Sequence, residues 1–506
     1  MLVSTIVIVA AFFIFFGHTS IWYDEADYLT ISAAIKQTGY PFWFWDNPDK
    51  PSIFLNSPPG LFYVISTLPR LTDDLFFLRA VYATLFSVPP FIALLLYIRK
   101  RRIDLFVFYV TALYCAVTWY YVVELVQIRM DLPLASLSFL ALLLVAHAED
   151  QQGSANRRQW QTLALLVVVS ALSFLIKYQA VCLTATLILS VVSRQDFQRQ
   201  ASWLPLTAHL AGAAIGMFVL VLLVMSNPMV PGMDVLTHTL SDNLARIGAQ
   251  WTSFNEFEKI FEIVKNVLPM VIVTAVVFVM ASSAGSIDWK DDRLLRLCVL
   301  MALVVVAFNI AVHRFPGAAD YYMTQAAIPL GYVFARSFGS LLHVKRSGAR
   351  LLALVALLTL HAMLNVQLGW GSQQRWVYGL KDLLGTAGRL DAPKLVAANL
   401  APFLRPDDVL LLDRWQSQSL AIAYWLNRSD RYTYLLQMDP IEAENLLERK
   451  SPGRVGALVF FGEEAQATLA SNERWSGVEA LLARDFVRSP QVQNAPDWTV
   501  YLRRAD

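Results

Sequence analysis

Three carboxylates fall within four residues at Asp24, Glu25 and Asp27, in the run Trp22-Tyr23-Asp24-Glu25-Ala26-Asp27-Tyr28. They follow an apolar stretch directly, so they stand where hydrocarbon gives way to water. Acids at a helix start can cap it and favour its dipole. A carboxyl group partly shielded from water also has a raised pKa, which suits a general base taking a proton from a nucleophile. Three other polar groups interrupt apolar sequence. They are Arg129 with Asp131 in Gln127-Ile128-Arg129-Met130-Asp131-Leu132-Pro133, Lys177-Tyr178-Gln179, and His313-Arg314-Phe315-Pro316 followed by Asp320-Tyr321-Tyr322. Each has a plain structural reading. Arg129 and Asp131 can pair in a tight turn, Lys177 can snorkel to an interface, and Tyr321 and Tyr322 can belong to an aromatic belt. Charge in a membrane is expensive and usually functional, however. A carboxylate cluster with three cations, Arg129, Lys177 and Arg314, suits chemistry on a lipid phosphate. The cations would hold and neutralise a phosphate leaving group, and a carboxylate would take the nucleophile's proton.

On a helix, positions 24 and 27 share a face while position 25 points about 100° away. Asp24 and Asp27 can therefore share a site, with Glu25 turned away from it.

The elements that must position these groups follow from composition. The chain has 506 residues, 56% of them hydrophobic and only 16% charged, where soluble chains carry about 25% charge. A soluble enzyme is excluded, and a net charge of +2 gives no case for nucleic acid. Cys115, Cys182 and Cys298 are far apart in apolar runs, so neither a disulfide framework nor a cysteine zinc site is predicted. Charge is uneven: residues 371–506 hold 33 charged residues of 136, the remainder 47 of 370. The chain thus reads as a multi-span membrane domain, 1–370, and a soluble domain, 371–506.

A spanning helix needs about 20 apolar residues. Candidate spans lie near 2–19, 76–98, 105–122, 132–148, 160–176, 179–193, 202–225, 263–282, 294–312, 321–338 and 350–368, about eleven in all. Basic clusters at 99–102, 157–158, 194–199, 290–296 and 345–350 then fall on one side. By the positive-inside rule that side is cytoplasmic. The N-terminus is predicted inside and the C-terminal domain outside. The first outer loop, about 19–75, is predicted to carry an amphipathic helix over 24–37, an aromatic segment at 40–45, and a short helix from Pro58, since proline suits a first helical turn. A second outer loop is expected over about 226–262. In the tail, Val409–Leu412, Tyr432–Leu436, Ala457–Phe461 and Trp498–Leu502 read as strands and Ser417–Leu426 and Ile441–Glu448 as helices, an α/β pattern without a nucleotide-binding glycine loop. Such a tail suits a lid, an acceptor-docking module or a structural cap.

Tyr23-Asp24-Glu25-Ala26-Asp27-Tyr28, then Gly39-Tyr40-Pro41, then Pro58-Pro59-Gly60-Leu61-Phe62-Tyr63 resembles the first outer loop of GT-C glycosyltransferases. The subgroup is that of protein O-mannosyltransferases and the bacterial lipid A aminoarabinose transferase. Arg129–Leu134, Leu175–Gln179, and Tyr321-Tyr322 with Pro329 are similar to later landmarks of the group. The resemblance covers roughly residues 1–340. It implies transfer of a sugar from a polyprenyl-phosphate carrier to an acceptor on the outer side, with inversion and with Asp24 as base; Asp24 ranks first among the three acids, Glu25 second, binding sugar hydroxyls or a cation of the site, and Asp27 third. It also implies a donor-phosphate site from Arg129, Asp131, Lys177, Tyr178, Arg314, Tyr321 and Tyr322, and acceptor or sugar contacts at Asp27 and Ser57. Two departures stand out. Ser57, after Asn56, occupies the place where the group usually has His or Lys, and no counterpart of the subgroup's acid–histidine metal pair is found. No cofactor is predicted, although a divalent metal stays compatible with the acidic loop.

The predicted partners are a polyprenyl-phosphate monosaccharide, membrane lipids, and an acceptor glycan, glycolipid or protein. The predicted location is a bacterial inner membrane with a periplasmic tail. A transporter or flippase for lipid-linked saccharides is the first alternative, but it would favour mid-membrane charges and inverted repeats. A polymerase or ligase is the second; it normally has an arginine-rich outer loop, and 226–262 holds one arginine, Arg246.

Overall fold

A computed structural model describes residues 10, 23–43, 49, 52–53, 58–68, 74–150, 157–193, 203–226, 257–287, 292–312, 322–341, 347–368, 392–414, 419–450, 453–490, 495 and 497–504. It divides into two compact units. The first gathers the long helices of Asp74–Leu223 and Thr237–Gly379; the second joins His18–Asp73 and Val224–Leu236 to the tail, Leu380–Asp506.

In the helical unit, Leu75–Arg101, Asp131–Asp150, Arg157–Ile176, Leu204–Met225 and Arg293–Ala311 are long and apolar enough to cross a membrane. Leu105–Val117, Tyr178–Val192, Val271–Ser283 and Gly348–Leu364 are shorter apolar helices. The expected eleven spans are therefore not all recovered among the described residues. The expected span 2–19 lies outside them, as does most of the loop 226–262. The expected span 105–122 stops early. Thr118 is extended (φ −85°, ψ 110°) and separates Leu105–Val117 from a short helix, Trp119–Leu125. The expected span 321–338 is a helix, Thr324–Leu341, in which polar residues interrupt the apolar run, Thr324, Gln325 and Ser337 among those that are buried. It lies among other helices rather than offering a continuous apolar surface.

Local chemistry sets the ends and contacts. Asp74 accepts from the Phe76 amide at 2.9 Å, and Asp104 from the Phe106 amide at 2.9 Å, each capping the helix that follows. Arg102 ends Leu75–Arg101 in the left-handed region, φ 53°. Thr324–Leu341 packs on Leu105–Val117. There a β-carbon on Gly331 would meet the Tyr114 ring at 3.1 Å, so the position favours glycine. Gly212 brings Leu204–Met225 against Arg157–Ile176 so closely that a β-carbon would stand 2.3 Å from the Val167 carbonyl oxygen, the small-residue packing usual between membrane helices. Asp131–Asp150 is the most buried of the five long apolar helices, packed by Leu75–Arg101, Arg157–Ile176 and Thr324–Leu341.

At one end of that helix, charges converge. Asp150 pairs with Arg101 and, at 3.0 Å, with Arg293, while Glu149 lies 3.6 Å from Arg296. Arg336 contacts Asp292 at 2.7 Å. The basic clusters expected at 99–102 and 290–296 thus meet at a common end of the helical unit.

In the second unit, the first loop forms the helix Tyr23–Thr38, close to the expected bounds. It is buried over most of its surface from Glu25 to Ile35, rather than amphipathic. Gly39, at φ +86°, turns the chain out of the helix. The aromatic segment contributes a two-residue strand, β1 (Phe42–Trp43), antiparallel to β2 (Ser52–Ile53). The expected short helix runs Gly60–Thr67 and meets Tyr23–Thr38 through Phe62 and Tyr28, ring centroids 5.6 Å apart.

The tail is α/β as expected. Its five strands are β3 (Val409–Leu412), β4 (Tyr432–Tyr434), β5 (Val455–Phe461), β6 (Phe486–Arg488) and β7 (Trp498–Arg503). They run in the order β4-β3-β5-β7-β6, with β3 parallel to β4 and β5, and β7 antiparallel to β5 and β6. The strand β6 and the helices Ala392–Leu400, Glu464–Ala470 and Ser476–Asp485 were not legible in the hydrophobic pattern. One face of the sheet is filled by Leu411, Leu458, Phe460, Trp475 and Val478. At the start of β3 and β5, Arg454 Nε lies 2.8 Å from Asp408 Oδ1, and the Asp408 side chain has no exposed surface. Gly456 makes room, since a β-carbon there would sit 2.5 Å from the same carboxylate. Removing one partner of a buried ion pair strands the other charge, at a cost of about 3–5 kcal/mol. Arg454→Met is therefore expected to lower the unfolding temperature of the tail in the full-length protein, measured by limited proteolysis across a temperature ramp. A wild-type transition would show that the pair holds nothing.

Candidate functional site

The structure gathers the expected groups in two places, one in each unit. In the helical unit the break at Thr118 starts the Trp119–Leu125 helix, which carries Glu124, and the chain then passes through 126–130 into the Asp131–Asp150 helix. Arg129 is almost wholly buried and points Nη1 at Glu124 Oε1, 3.3 Å away; its approach to Asp131 Oδ2 is longer, 4.0 Å. The tight Arg129–Asp131 pair open to the sequence is thus not the dominant contact. Tyr82 donates its hydroxyl to the Arg129 carbonyl oxygen and so fixes the backbone of this turn.

Asp131 is instead bonded to Lys177. Lys177 follows the Arg157–Ile176 helix in extended conformation, φ −155° and ψ 138°, which turns its side chain towards Asp131. Its ammonium also sits over the Tyr322 ring, 4.3 Å from the centroid, a cation–π contact. Gln179 donates to the Tyr322 carbonyl oxygen at 3.0 Å and fixes that tyrosine. Burial works against charge on Lys177, but Asp131 and Tyr322 outweigh it and raise the pKa, so the ammonium stays protonated. At 14% exposure this lysine does not snorkel into water.

Among these described groups, two cations face two anions. Glu124 was missed in the sequence reading. It is the single acid between residues 105 and 130, inside an otherwise apolar stretch, and that isolation was the available signal. Tyr178 begins the short turn Tyr178–Ala180 and is partly buried. Arg314, Tyr321 and Ser57 lie outside the described residues.

In the second unit, Asp24, Glu25 and Asp27 occupy the first turn and a half of Tyr23–Thr38. Glu25 has no exposed surface and Asp27 has 7%; of Asp24 only the helical backbone is described. Among the described residues no group of three or more histidine, cysteine, aspartate or glutamate side chains is disposed to hold a metal ion.

Geometrically, the helical unit offers a protonated lysine and an arginine, each held by a carboxylate, in a water-poor setting. Such an arrangement can exchange an internal carboxylate for an external phosphate oxygen.

A family model described as dolichyl-phosphate-mannose-protein mannosyltransferase matches residues 56–225. No curated protein matches the sequence. Among solved structures, ArnT from Cupriavidus metallidurans bound to undecaprenyl phosphate is 11% identical, with a TM-score of 0.63 over 100% of this chain and 98% of that one. The same enzyme in the apo state gives 12% identity and a TM-score of 0.61, over 99% and 97%. The Archaeoglobus fulgidus oligosaccharyltransferase in complex with zinc and sulfate gives 14% and 0.52, over 90% of this chain and 66% of that one.

If Lys177 and Asp131 neutralise each other, Asp131→Asn should destabilise the protein by about 3–5 kcal/mol. The double variant Lys177→Met with Asp131→Leu should recover most of that loss, because a buried pair replaced by apolar residues of similar volume is often neutral. Thermal unfolding in detergent measures both. A double variant as unstable as the single one would mean that packing, not charge, sets the effect.

Proposed function

We propose, from the GT-C fold that the chain shares with ArnT, that this protein is an integral-membrane glycosyltransferase. It moves a sugar from a polyprenyl-phosphate carrier to an acceptor on the outer side of a bacterial inner membrane. The observation that carries the reading is the buried Glu124–Arg129–Asp131–Lys177 cluster at one end of the Asp131–Asp150 helix. The other end holds the arginines around Glu149 and Asp150. Twenty residues of helix separate the ends by about 30 Å, the thickness of a bilayer's hydrocarbon core. By the positive-inside rule the arginine-rich end is cytoplasmic, and the cluster is then on the outer side.

In this reading the carrier phosphate takes the place of Asp131 on Lys177 and draws on Arg129, with Tyr178, Tyr322, Arg314 and Tyr321 around it, while the displaced Asp131 stays beside Arg129. Asp24 removes the proton from the acceptor hydroxyl. The hydroxyl oxygen forms its bond to the anomeric carbon on the face opposite the phosphate, and the carbon–oxygen bond to phosphate breaks. The configuration inverts, the proton stays on Asp24, and the carrier leaves as the phosphate monoester. The monoester can carry one more negative charge than the diester, and Lys177 and Arg129 stabilise that developing charge. Asp27, at 7% exposure, contacts the sugar or acceptor from the same helix, as does Ser57 from the loop, and Glu25, which has no exposed surface, holds the start of the helix from within its packing. The acceptor is a protein, a glycolipid or a glycan.

Asp24→Asn should abolish transfer while leaving folding intact, and a polyprenyl-phosphate monosaccharide should accumulate in cells that carry it. A lipid extract without any change in carrier-linked species would remove Asp24 from catalysis. Lys177→Ala should weaken donor binding about 10- to 150-fold, the equivalent of a charged hydrogen bond worth about 1.5–3 kcal/mol. Unchanged affinity would reduce Lys177 to a structural partner of Asp131. Reporters fused after Arg102 and Asp506 should report opposite sides of the membrane; the same side for both would overturn the orientation.

A further inference from the structure

The acid-bearing helix is not held by its own loop alone. Residues 18–73 group with the tail in one compact unit, and the tail helix Leu420–Trp425 packs against Tyr23–Thr38. Leu420, Ala421, Ile422 and Ala423 of that tail helix are all buried.

The end of this contact is built with unusual backbone. Asn427 adopts φ +55°, the left-handed region that asparagine tolerates better than most side chains. The turn is closed by the Asn427 amide on the Tyr424 carbonyl at 3.0 Å and the Arg428 amide on the Ala423 carbonyl at 2.9 Å. In this conformation both oxygens of Asn427, main-chain and side-chain, accept from Gln37 Nε2 at 3.2 Å. Gln37 stands in the last turn of the acid-bearing helix, nearly four hundred residues earlier in the chain. The next residue, Arg428, donates to the carbonyl oxygens of Arg405 and Asp408, and Asp408 carries the buried bond to Arg454. One line of bonds thus runs from the buried start of the central strands β3 and β5 through a left-handed cap to the first-loop helix. A second tie joins the loop at Asp49 to Arg449, just after the tail helix Pro440–Leu447.

We infer that the tail is a positioning domain for the first outer loop, and that the Gln37–Asn427 clamp fixes the helix that presents Asp24 and Asp27. The inference rests on the proposed transferase reading. A helix held at one end by its own loop would sample many orientations, and a misplacement of about 1 Å can cost about 100-fold in rate. Gln37 and Asn427 are positioning residues: neither touches the carrier, whose phosphate is assigned to Lys177 and Arg129. The clamp therefore acts on turnover and leaves donor binding alone.

The test uses charge at the clamp in the full-length protein. Gln37→Glu with Asn427→Asp sets two like charges together and keeps a residue that tolerates the left-handed turn. Gln37→Lys with Asn427→Asp sets opposite charges in the same places. The repelling pair is expected to lower kcat about tenfold with KM for the lipid-linked donor unchanged, and the attracting pair to restore kcat to within about twofold; such factors correspond to one or two hydrogen bonds. Hydrogen exchange of the amides of residues 25–36 should quicken in the repelling pair and return to the wild-type rate in the attracting pair. Wild-type kcat and exchange in the repelling pair, or an attracting pair as impaired as the repelling one, would overturn the positioning role. Exchange decides the matter even if no sugar transfer is found in the wild type; that result would sink the transferase reading and leave the clamp judged on its own measurement.

Discussion

Burying a lysine and an arginine in a water-poor helical unit is the constraint from which the rest of the site follows. An isolated ammonium or guanidinium cannot be taken out of water without compensation, because the desolvation penalty is several kcal/mol per ion even after relaxation. Asp131 and Glu124 supply the compensation. To do so, the chain must bring three separated segments together: the Trp119–Leu125 helix, the start of Asp131–Asp150, and the extended residue after Arg157–Ile176. The break at Thr118, the hydroxyl of Tyr82 on the Arg129 carbonyl, and Gln179 on the Tyr322 carbonyl are the local devices that hold them. Apolar residues of the same volume would fill the space at no loss of stability. Stability alone therefore does not account for four charged groups at one helix end, which is the ground for giving them a role in the proposed function.

The same reasoning bears on how a phosphate would be received. A bare pair of cations would attract any anion and would be costly to keep empty. A neutral cluster is cheap to keep empty, and it admits only a ligand that out-competes a well-placed carboxylate. The phosphodiester of a lipid-linked sugar offers the same two unesterified oxygens and single charge as Asp131, but its polyprenyl chain adds apolar burial that a soluble anion lacks. On the proposed function, selectivity for a lipid-linked phosphate would arise from that difference between two similar charges, not from raw attraction.

Legibility in the sequence followed the strength of the local physical signal. Long apolar runs announced most of the helices, because nothing else accounts for about 20 apolar residues in a row. The Thr118 break was invisible, because threonine is tolerated in apolar helices and only packing with the neighbours selects its extended conformation. The polarity of Thr324–Leu341 was on the page, but its neighbours decide whether Gln325 and Arg336 face lipid or protein. Arg129, Asp131 and Lys177 stood out as charges in apolar surroundings. Their pairing did not, since Asp131 had a closer candidate in sequence, and only the extended Lys177 backbone makes the longer link the tighter one. Glu124 was overlooked because a lone acid near a span end looks like a boundary. In the tail, strands buried on both faces were found from their apolar runs, whereas β6, with Val487 and Arg488 exposed, gave no such run.

The grouping of the first loop with the tail was the least legible feature, and physically the most instructive. Catalytic groups are placed more precisely on rigid elements than on loops, yet the three acids stand in a connection between two apolar stretches. Their helix is short, and most helical stability in proteins comes from tertiary packing rather than from propensity. Something outside the loop must therefore supply the packing surface. A domain at the far end of the chain can do this only if it is itself stiff, and the mixed sheet with its buried Asp408–Arg454 bond meets that need.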